Sequence, residues 1–412
     1  MYKNSALNIL TKTLYADEWR AQCVNLIASE NAVSRYVKLC VSSDFMGRYA
    51  EGDPEDRYYQ GTKYIDEIEL DVSSNLKKLF GCSEVEVRPI SGTQANEIVF
   101  HTLLHPGDTV MVNSTSGGGH ISHYKFGSLG KITQNIIDIP LAKDGYHLDV
   151  EKTKDCIYTM KPKVIVLGKS LFLFPEPIEE LKDVCYETGT VIVYDAAHVL
   201  GLIAGKRFQN PLKEGANIIT ASTHKTFPGT QRGVILGDSD GRVDWKRIRK
   251  TTFPGSTSNT HLNTLAGLAI AVYEMLEFGE EYADQTIKNA KALARSLDKK
   301  GFDVQAKEFD YTESHQIAVD MSKHGGGKRV AKILEENNII VNKNLLPLER
   351  NGDPKNPKGI RIGVQEMTRF GMKEDEMEYI ADLMKDALGG MNVRDEVIRF
   401  RRKYQKLCYC FD

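Results

Sequence analysis

The sequence predicts an α/β fold, with a large domain on a mainly parallel sheet and a smaller α+β domain toward the C-terminus. Two observations predict it. Short β-branched runs at 109–113, 164–167, 191–194, 218–220 and 234–236 end in small or polar residues and alternate with helix-like stretches. From about Tyr282 the texture changes to a charged helix at 288–300, strand-like segments at 316–319 and 339–341, and further helix. Along the chain, Ile9, Leu14, Trp19 and Val24 lie among polar residues before any strand rhythm, which predicts a helical arm over 1–55. A strand-like stretch at 85–90 leads into an apolar helix carrying Val99, Leu103 and Leu104. Within 178–189, Leu181, Val184 and Cys185 recur at helical spacing, and 262–278 is apolar on most faces. The large domain is thereby assigned to 56–281 and the small one to 282–412. Continuously apolar strands are buried on both faces, and such sheets gather ligands beyond the carboxyl ends of their strands.

With 412 residues, 41% of them hydrophobic, the chain has the apolar mass for one large or two medium domains. Lys+Arg 54 against Asp+Glu 56 gives a net charge of −2, so bulk charge argues against a polyanion partner. An odd count of 7 cysteines without a C-x-x-C pair suits a reducing compartment. No apolar leader and no uncharged apolar stretch of about 18 residues occurs, so a cytoplasmic, membrane-free protein is expected. The one basic cluster, from Arg394 to Lys406, is interleaved with Val397, Phe400 and Tyr404 and reads as the solvated face of a packed terminal helix rather than an RNA contact.

Two strand ends carry the chemistry. One run leads into Asp195-Ala196-Ala197-His198, the other into Ser222-Thr223-His224-Lys225. One βαβ unit apart, they bring a carboxylate, two imidazoles and a primary amine to one sheet edge. An aldehyde cofactor with a basic ring nitrogen, pyridoxal 5′-phosphate, requires that set: Lys225 for a Schiff base, Asp195 for the pyridine nitrogen, His198 for the ring oxygen. Taken singly, Lys225 could be a surface lysine and Asp195 a helix cap. Asp195, His198 and His224 are also metal-ligand types, but no third ligand stands at a standard spacing, and no metal is expected. His120 and His123 after Gly117-Gly118-Gly119 have a spacing that also suits a ligand pair, but the glycines make better sense as room for a flat ring on which His120 stacks. Ser91-Gly92-Thr93 at a helix start is either an anion seat or an ordinary N-cap.

The segments Asn25-Leu26-Ile27-Ala28-Ser29-Glu30-Asn31, Arg48-Tyr49-Ala50-Glu51-Gly52, Arg57-Tyr58-Tyr59, those around Asp195 and Lys225, Asn342-Lys343-Asn344 and Gly359-Ile360-Arg361-Ile362-Gly363 closely resemble serine hydroxymethyltransferase, in its archaeal branch. The resemblance runs along nearly the whole chain. It implies a fold-type I pyridoxal-phosphate enzyme, a homodimer with shared active sites, and an amino-acid substrate with a reduced pterin as co-substrate. It implies cofactor contacts at Lys225, Asp195, His198, His120, Gly92, Thr93, Ser170, Ser222, Tyr49, Ser258 and Asn259. Catalytic roles fall to Lys225, His224, Tyr59 and Glu51, the last as acid/base at the hydroxymethyl group. Ser29, Arg361, Glu51 and Tyr59 hold the substrate, and Glu51, Thr115, Gly119, Ile121 and Asn344 the pterin.

Some positions depart from the family's common form. Gln231 stands where an arginine is usual, with Arg232 next to it, and Thr257-Ser258-Asn259 stands where Gln-Gly-Gly is frequent. Thr115 replaces a common leucine, and 170–174 is unusually apolar, which leaves the pterin open between tetrahydrofolate and tetrahydromethanopterin. Two other readings compete: a pterin-independent aldolase, transaldolase or racemase on the same scaffold, and a catalytically silent RNA-binding relative.

Overall fold

The computed structural model describes residues 2–347, 349 and 352–411. The chain forms two compact units. The larger is Ser29–Asp284 with short pieces at 347–350 and 409–412; the smaller gathers residues 1–28, Gln285–Leu346 and residues 351–408. The first 55 residues are thus divided between the two units.

In the larger unit a 7-stranded sheet is made by β1 (Glu84–Glu86), β2 (Val110–Val112), β3 (Ile136–Asp138), β4 (Val164–Leu167), β5 (Val191–Asp195), β6 (Ile218–Ser222) and β7 (Gly233–Gly237), in the order β1-β7-β6-β5-β4-β2-β3. The pairs from β3 to β6 are parallel, and only β7 runs the other way, antiparallel to both β6 and β1. Every residue of β2, β4, β6 and β7 is buried, as continuously apolar runs require when both faces are covered. Helix α1 (Gly92–Leu103) packs Ala95, Ile98 and Val99 on Val110, Val112, Val164, Val166 and Ile218 of the sheet. Helix α2 is Val150–Met160, and α3, Ile178–Thr188, ends on Gly189 in the left-handed conformation. The expected strand at 85–90 shrinks to β1, since Pro89 has no N–H to give a ladder.

The helical stretches expected at 262–278 and 288–300 are one helix, α4 (Leu262–Lys299), of 38 residues. No proline interrupts it, and the buried stripe of Leu265, Leu268, Val272 and Met275 continues through Tyr282, Ala290, Leu293 and Leu297. The boundary placed at Tyr282 falls inside this helix, close to the division of the two units between Asp284 and Gln285.

The smaller unit holds a sheet of β8 (Asp303–Val304), β9 (Gln316–Asp320), β10 (Asn342–Asn344) and β11 (Gly359–Gly363) in the order β8-β9-β11-β10. Val24–Asn25 pairs in parallel with Ile339–Ile340, which ties the N-terminal segment into this unit. Val397 and Phe400 of the terminal helix Arg394–Arg401 are buried. Arg401 is only 1% exposed and donates to the Cys23 and Tyr404 carbonyls, so one charge of the basic cluster is an internal brace rather than part of a solvated face. Among the described residues no helix is long and apolar enough to cross a membrane.

Arg232, beside the departing Gln231, is fully buried. Its Nη2 donates to the Val87 carbonyl at 2.8 Å, and Nη1 to the His261 carbonyl at 3.0 Å, the Thr264 hydroxyl at 2.9 Å and the Thr260 carbonyl. Burial pushes its pKa down to about 10, still charged at neutral pH. The guanidinium is a structural staple, its Nη1 and Nη2 held by protein acceptors. Arg232→Met is expected to lower the free energy of unfolding by about 3 kcal/mol in denaturant titration, because several buried acceptors lose their donor together.

Candidate active site

A cavity of about 210 Å³ in the larger unit lies where the sheet ends converge. Asp195 closes β5 and Ser222 closes β6; His198 and the pair His224-Lys225 follow those strands, and His120 lies in the loop after β2. Gly92 and Thr93 come from the start of α1. All line one cavity at the carboxyl ends of parallel strands, where an open α/β sheet places its ligands.

Asp195 is 6% exposed. Its Oδ2 accepts from Asn96 Nδ2 and His123 Nε2, both at 2.8 Å, and Oδ1 accepts from the Ala197 N–H at 2.9 Å. Burial alone would raise its pKa. The hydrogen bond and charge of His123 and the bond from Asn96 outweigh that and hold the carboxyl well below the usual carboxylate range. His224 moves the opposite way: burial, reinforced by the neighbouring Lys225 ammonium, pushes its imidazole down to about 4, so it is neutral at physiological pH. Its Nδ1 is buried with no hydrogen-bond partner among the described residues. The backbone carbonyl of Lys225 is fixed by Asn31 Nδ2 at 2.6 Å, and the same amide nitrogen donates to the Tyr282 hydroxyl at 2.9 Å. Thr226 donates to the His198 carbonyl at 2.7 Å, joining the two loops.

These residues fit pyridoxal 5′-phosphate. A Cβ on Gly92 would stand 2.3 Å from Ser222 Oγ, so only glycine lets the helix start approach that hydroxyl. The cradle then joins the Ser222 and Thr93 hydroxyls to the positive end of the 12-residue α1, a seat for a phosphate. Ser91 is the N-cap, accepting from the Gln94 N–H at 3.1 Å, an arrangement compatible with an anion at the same helix start. A carboxylate that stays charged while buried suits a protonated ring nitrogen, and an amine in the same cavity suits an aldehyde.

Other expected residues stand outside this cavity lining. Tyr49 and Tyr59 face each other with ring centroids 5.4 Å apart, and Glu51 lies beside them at the hairpin of Gly52–Asp53 and Asp56–Arg57. Asn259 donates to the Arg48 carbonyl at 2.7 Å and accepts from the Ala50 N–H at 3.2 Å, so its side chain pins that loop in its own chain, while Ser258 is exposed. The Ser170 N–H donates to the Gly118 carbonyl at 2.6 Å. Thr115 and Ile121 are exposed on the loop after β2. The three glycines there make room for the protein itself rather than for a ring: a Cβ on Gly119 would be 2.0 Å from the Asn113 carbonyl, and one on Gly118 2.8 Å from that of Leu171. Ser29 is half-buried at the start of the larger unit. In the smaller unit, Arg361 at the centre of β11 is 7% exposed and donates from Nε to Asn342 at 3.1 Å, and burial lowers its pKa to about 10. Asn344 donates to the Leu345 carbonyl at 2.6 Å. Among the described residues no group of three or more His, Cys, Asp or Glu is arranged for a metal ion.

Sequence reasoning missed Asn96 and Lys169, which line the cavity, and the use of His123. The only available signal for Asn96 was its place one turn into the helix that follows Ser91.

The model of the serine hydroxymethyltransferase family matches residues 7–384. The chain belongs to that family. It is 50% identical over 406 residues to the serine hydroxymethyltransferase of Thermococcus onnurineus, covering 96% of this chain and 94% of that one. It is 48% identical over 409 residues to that of Saccharolobus islandicus, covering 98% and 94%. Among solved structures, L-threonine transaldolase from Pseudomonas fluorescens superposes with a TM-score of 0.88 at 28% identity, covering 100% of this chain and 95% of that one. The fold-type I architecture and the archaeal likeness expected from the serine hydroxymethyltransferase motifs are both present.

Proposed function

We propose that this chain is a pyridoxal-phosphate-dependent serine hydroxymethyltransferase, interconverting serine and glycine and passing the one-carbon unit to a reduced pterin, tetrahydrofolate or tetrahydromethanopterin. What carries the reading is a buried, charged Asp195 in the same cavity as Lys225. The bound cofactor supplies an electron sink for breaking a bond at the amino acid's α-carbon. Lys225 offers the amine that holds it, and Asp195 keeps a proton on its ring nitrogen. His120 stacks on the ring, while His198 and Ser170 meet the ring oxygen. Gly92, Thr93 and Ser222 hold the phosphate, with Tyr49 and the backbone N–H groups of Ser258 and Asn259 reaching it from the partner subunit. Arg361, charged though buried, grips the substrate carboxylate together with Ser29. His224, neutral at physiological pH, lines the cavity with the reacting amine and takes its catalytic part there by hydrogen bonding to the substrate. Glu51 moves a proton at the hydroxymethyl oxygen, next to Tyr59, and Asn344, Thr115, Gly119 and Ile121 line the pterin's path.

A homodimer follows from the same reading. The N-terminal helix Tyr2–Ala21 has no buried residue and exposes Leu7, Leu10 and Leu14 on one side, while Tyr58 is 77% and Phe126 90% exposed, surfaces that suit a second copy. We place the enzyme in the cytoplasm, without nucleic-acid or membrane partners; the buried Arg401 and Val397 support a packed tail rather than an RNA-binding one.

The test is the visible spectrum of the purified, cofactor-loaded protein with glycine, before and after each reduced pterin. A strong new band that needs both glycine and a pterin is expected. Colour that responds to glycine and ignores both pterins would replace this reading with an aldolase or transaldolase.

A further inference from the structure

His123 has no part in the reading above, and yet the site is built around it. Its ring is fully buried, and Nδ1 has no hydrogen-bond partner among the described residues. The contact that engages its other nitrogen as a donor is the one to Asp195 Oδ2 at 2.8 Å. Asn96 Nδ2 also stands 3.1 Å from His123 Nε2, but the carboxylate is the stronger acceptor and takes the Nε2 proton. Phe100, edge-on at 6.2 Å, and His120, at 6.0 Å, hold the imidazole in place.

Asn96 is locked as firmly. The Thr220 hydroxyl donates to its Oδ1 at 2.5 Å, which fixes the amide so that its NH2 faces Asp195. Thr220 lies in β6, beside Asp195 in the sheet register, so the orientation is inherited from the strand pairing. An ionised carboxylate has about four acceptor positions. Asn96, His123 and the Ala197 N–H fill three of them.

Resting on the proposed cofactor, we infer that His123 and Asn96 are positioning residues for its pyridine nitrogen: they fill and aim Asp195 so that its one remaining acceptor position is presented to the ring N–H. A carboxylate held by fewer donors would rotate and would take up a proton itself in preference to leaving it on the ring. The clamp thus acts on where the proton resides, through Asp195.

The test uses the holoenzyme loaded with cofactor labelled with 15N in the pyridine ring, with the ring nitrogen's 15N shift followed against pH. In His123→Leu the ring proton is expected to be lost at least one pH unit lower than in the parent protein, and the cofactor dissociation constant to rise about tenfold. His123→Gln, whose amide can donate to the same oxygen, is expected to restore both to within a few-fold. If His123→Leu does not fold, Asn96→Ala carries the same expectation. A ring nitrogen that titrates in the folded variant as in the parent, with only a lower melting temperature, overturns the inference while leaving the proposed function standing. Parent protein that binds no cofactor would overturn the function itself.

Discussion

Lys225→Arg is expected to cost about a thousandfold or more in serine cleavage while leaving a folded protein. Arginine keeps a positive charge at the position, and the bond from Asn31 reaches the backbone carbonyl of residue 225, which the substitution does not touch. What is lost is an amine that can shed its proton, since a guanidinium stays protonated in proteins. The cavity offers a rival, because Lys169 lines it as well. Lys169 is 6% exposed, donates to the Tyr146 carbonyl at 2.8 Å and stands 3.4 Å from Glu176. An ammonium held between a carbonyl and a buried carboxylate is a poor nucleophile. Borohydride reduction of the loaded protein, followed by peptide mass spectrometry, should therefore place the cofactor on Lys225 and find none attached in the variant. A label on Lys169 would move the amine's role to the other side of the cavity.

The strands and the residues just beyond them were legible because each rests on a local signal. β-branched runs at 164–167 and 191–194 can be buried only as strands, and the polar residues that end them fall at one sheet edge. The clamp on Asp195 was not legible, since His123 and Asn96 lie 72 and 99 positions away and meet it only through the sheet order. Charge misled in the opposite direction. Arg401 read as part of a solvated face, but backbone carbonyls folded around it, as they do around Arg232, and no periodicity records where carbonyls point. The glycine triplet is a third case, because glycine signals a close approach without saying whether the approaching group is a ligand or, as at Gly119, the chain itself. At Tyr282 composition turned polar close to where the two units divide, between Asp284 and Gln285, although the buried stripe of α4 runs on.

Glu51→Gln is expected to abolish pterin-dependent serine cleavage, by about a hundredfold to ten-thousandfold, and to leave cofactor binding and the spectral response to glycine intact. The separation is expected because the loop does not depend on the carboxyl group. Arg57, its side chain 2% exposed, donates to the Ala50 carbonyl at 2.9 Å and the Gly52 carbonyl at 2.6 Å, and pairs with Asp66 and Glu69 at 2.7 and 2.6 Å. The Tyr58 N–H donates to the backbone carbonyl of Glu51 at 3.0 Å. These bonds fix the backbone on both sides of residue 51, so glutamine enters the same geometry and lacks only a proton to give or take. A loss confined to the step that needs the pterin then belongs to the carboxyl group. If the variant also loses its response to glycine, Glu51 holds the substrate rather than moving a proton. If serine cleavage continues undiminished, the acid/base group lies elsewhere, and His224, neutral and in the cavity with Lys225, is the next to replace.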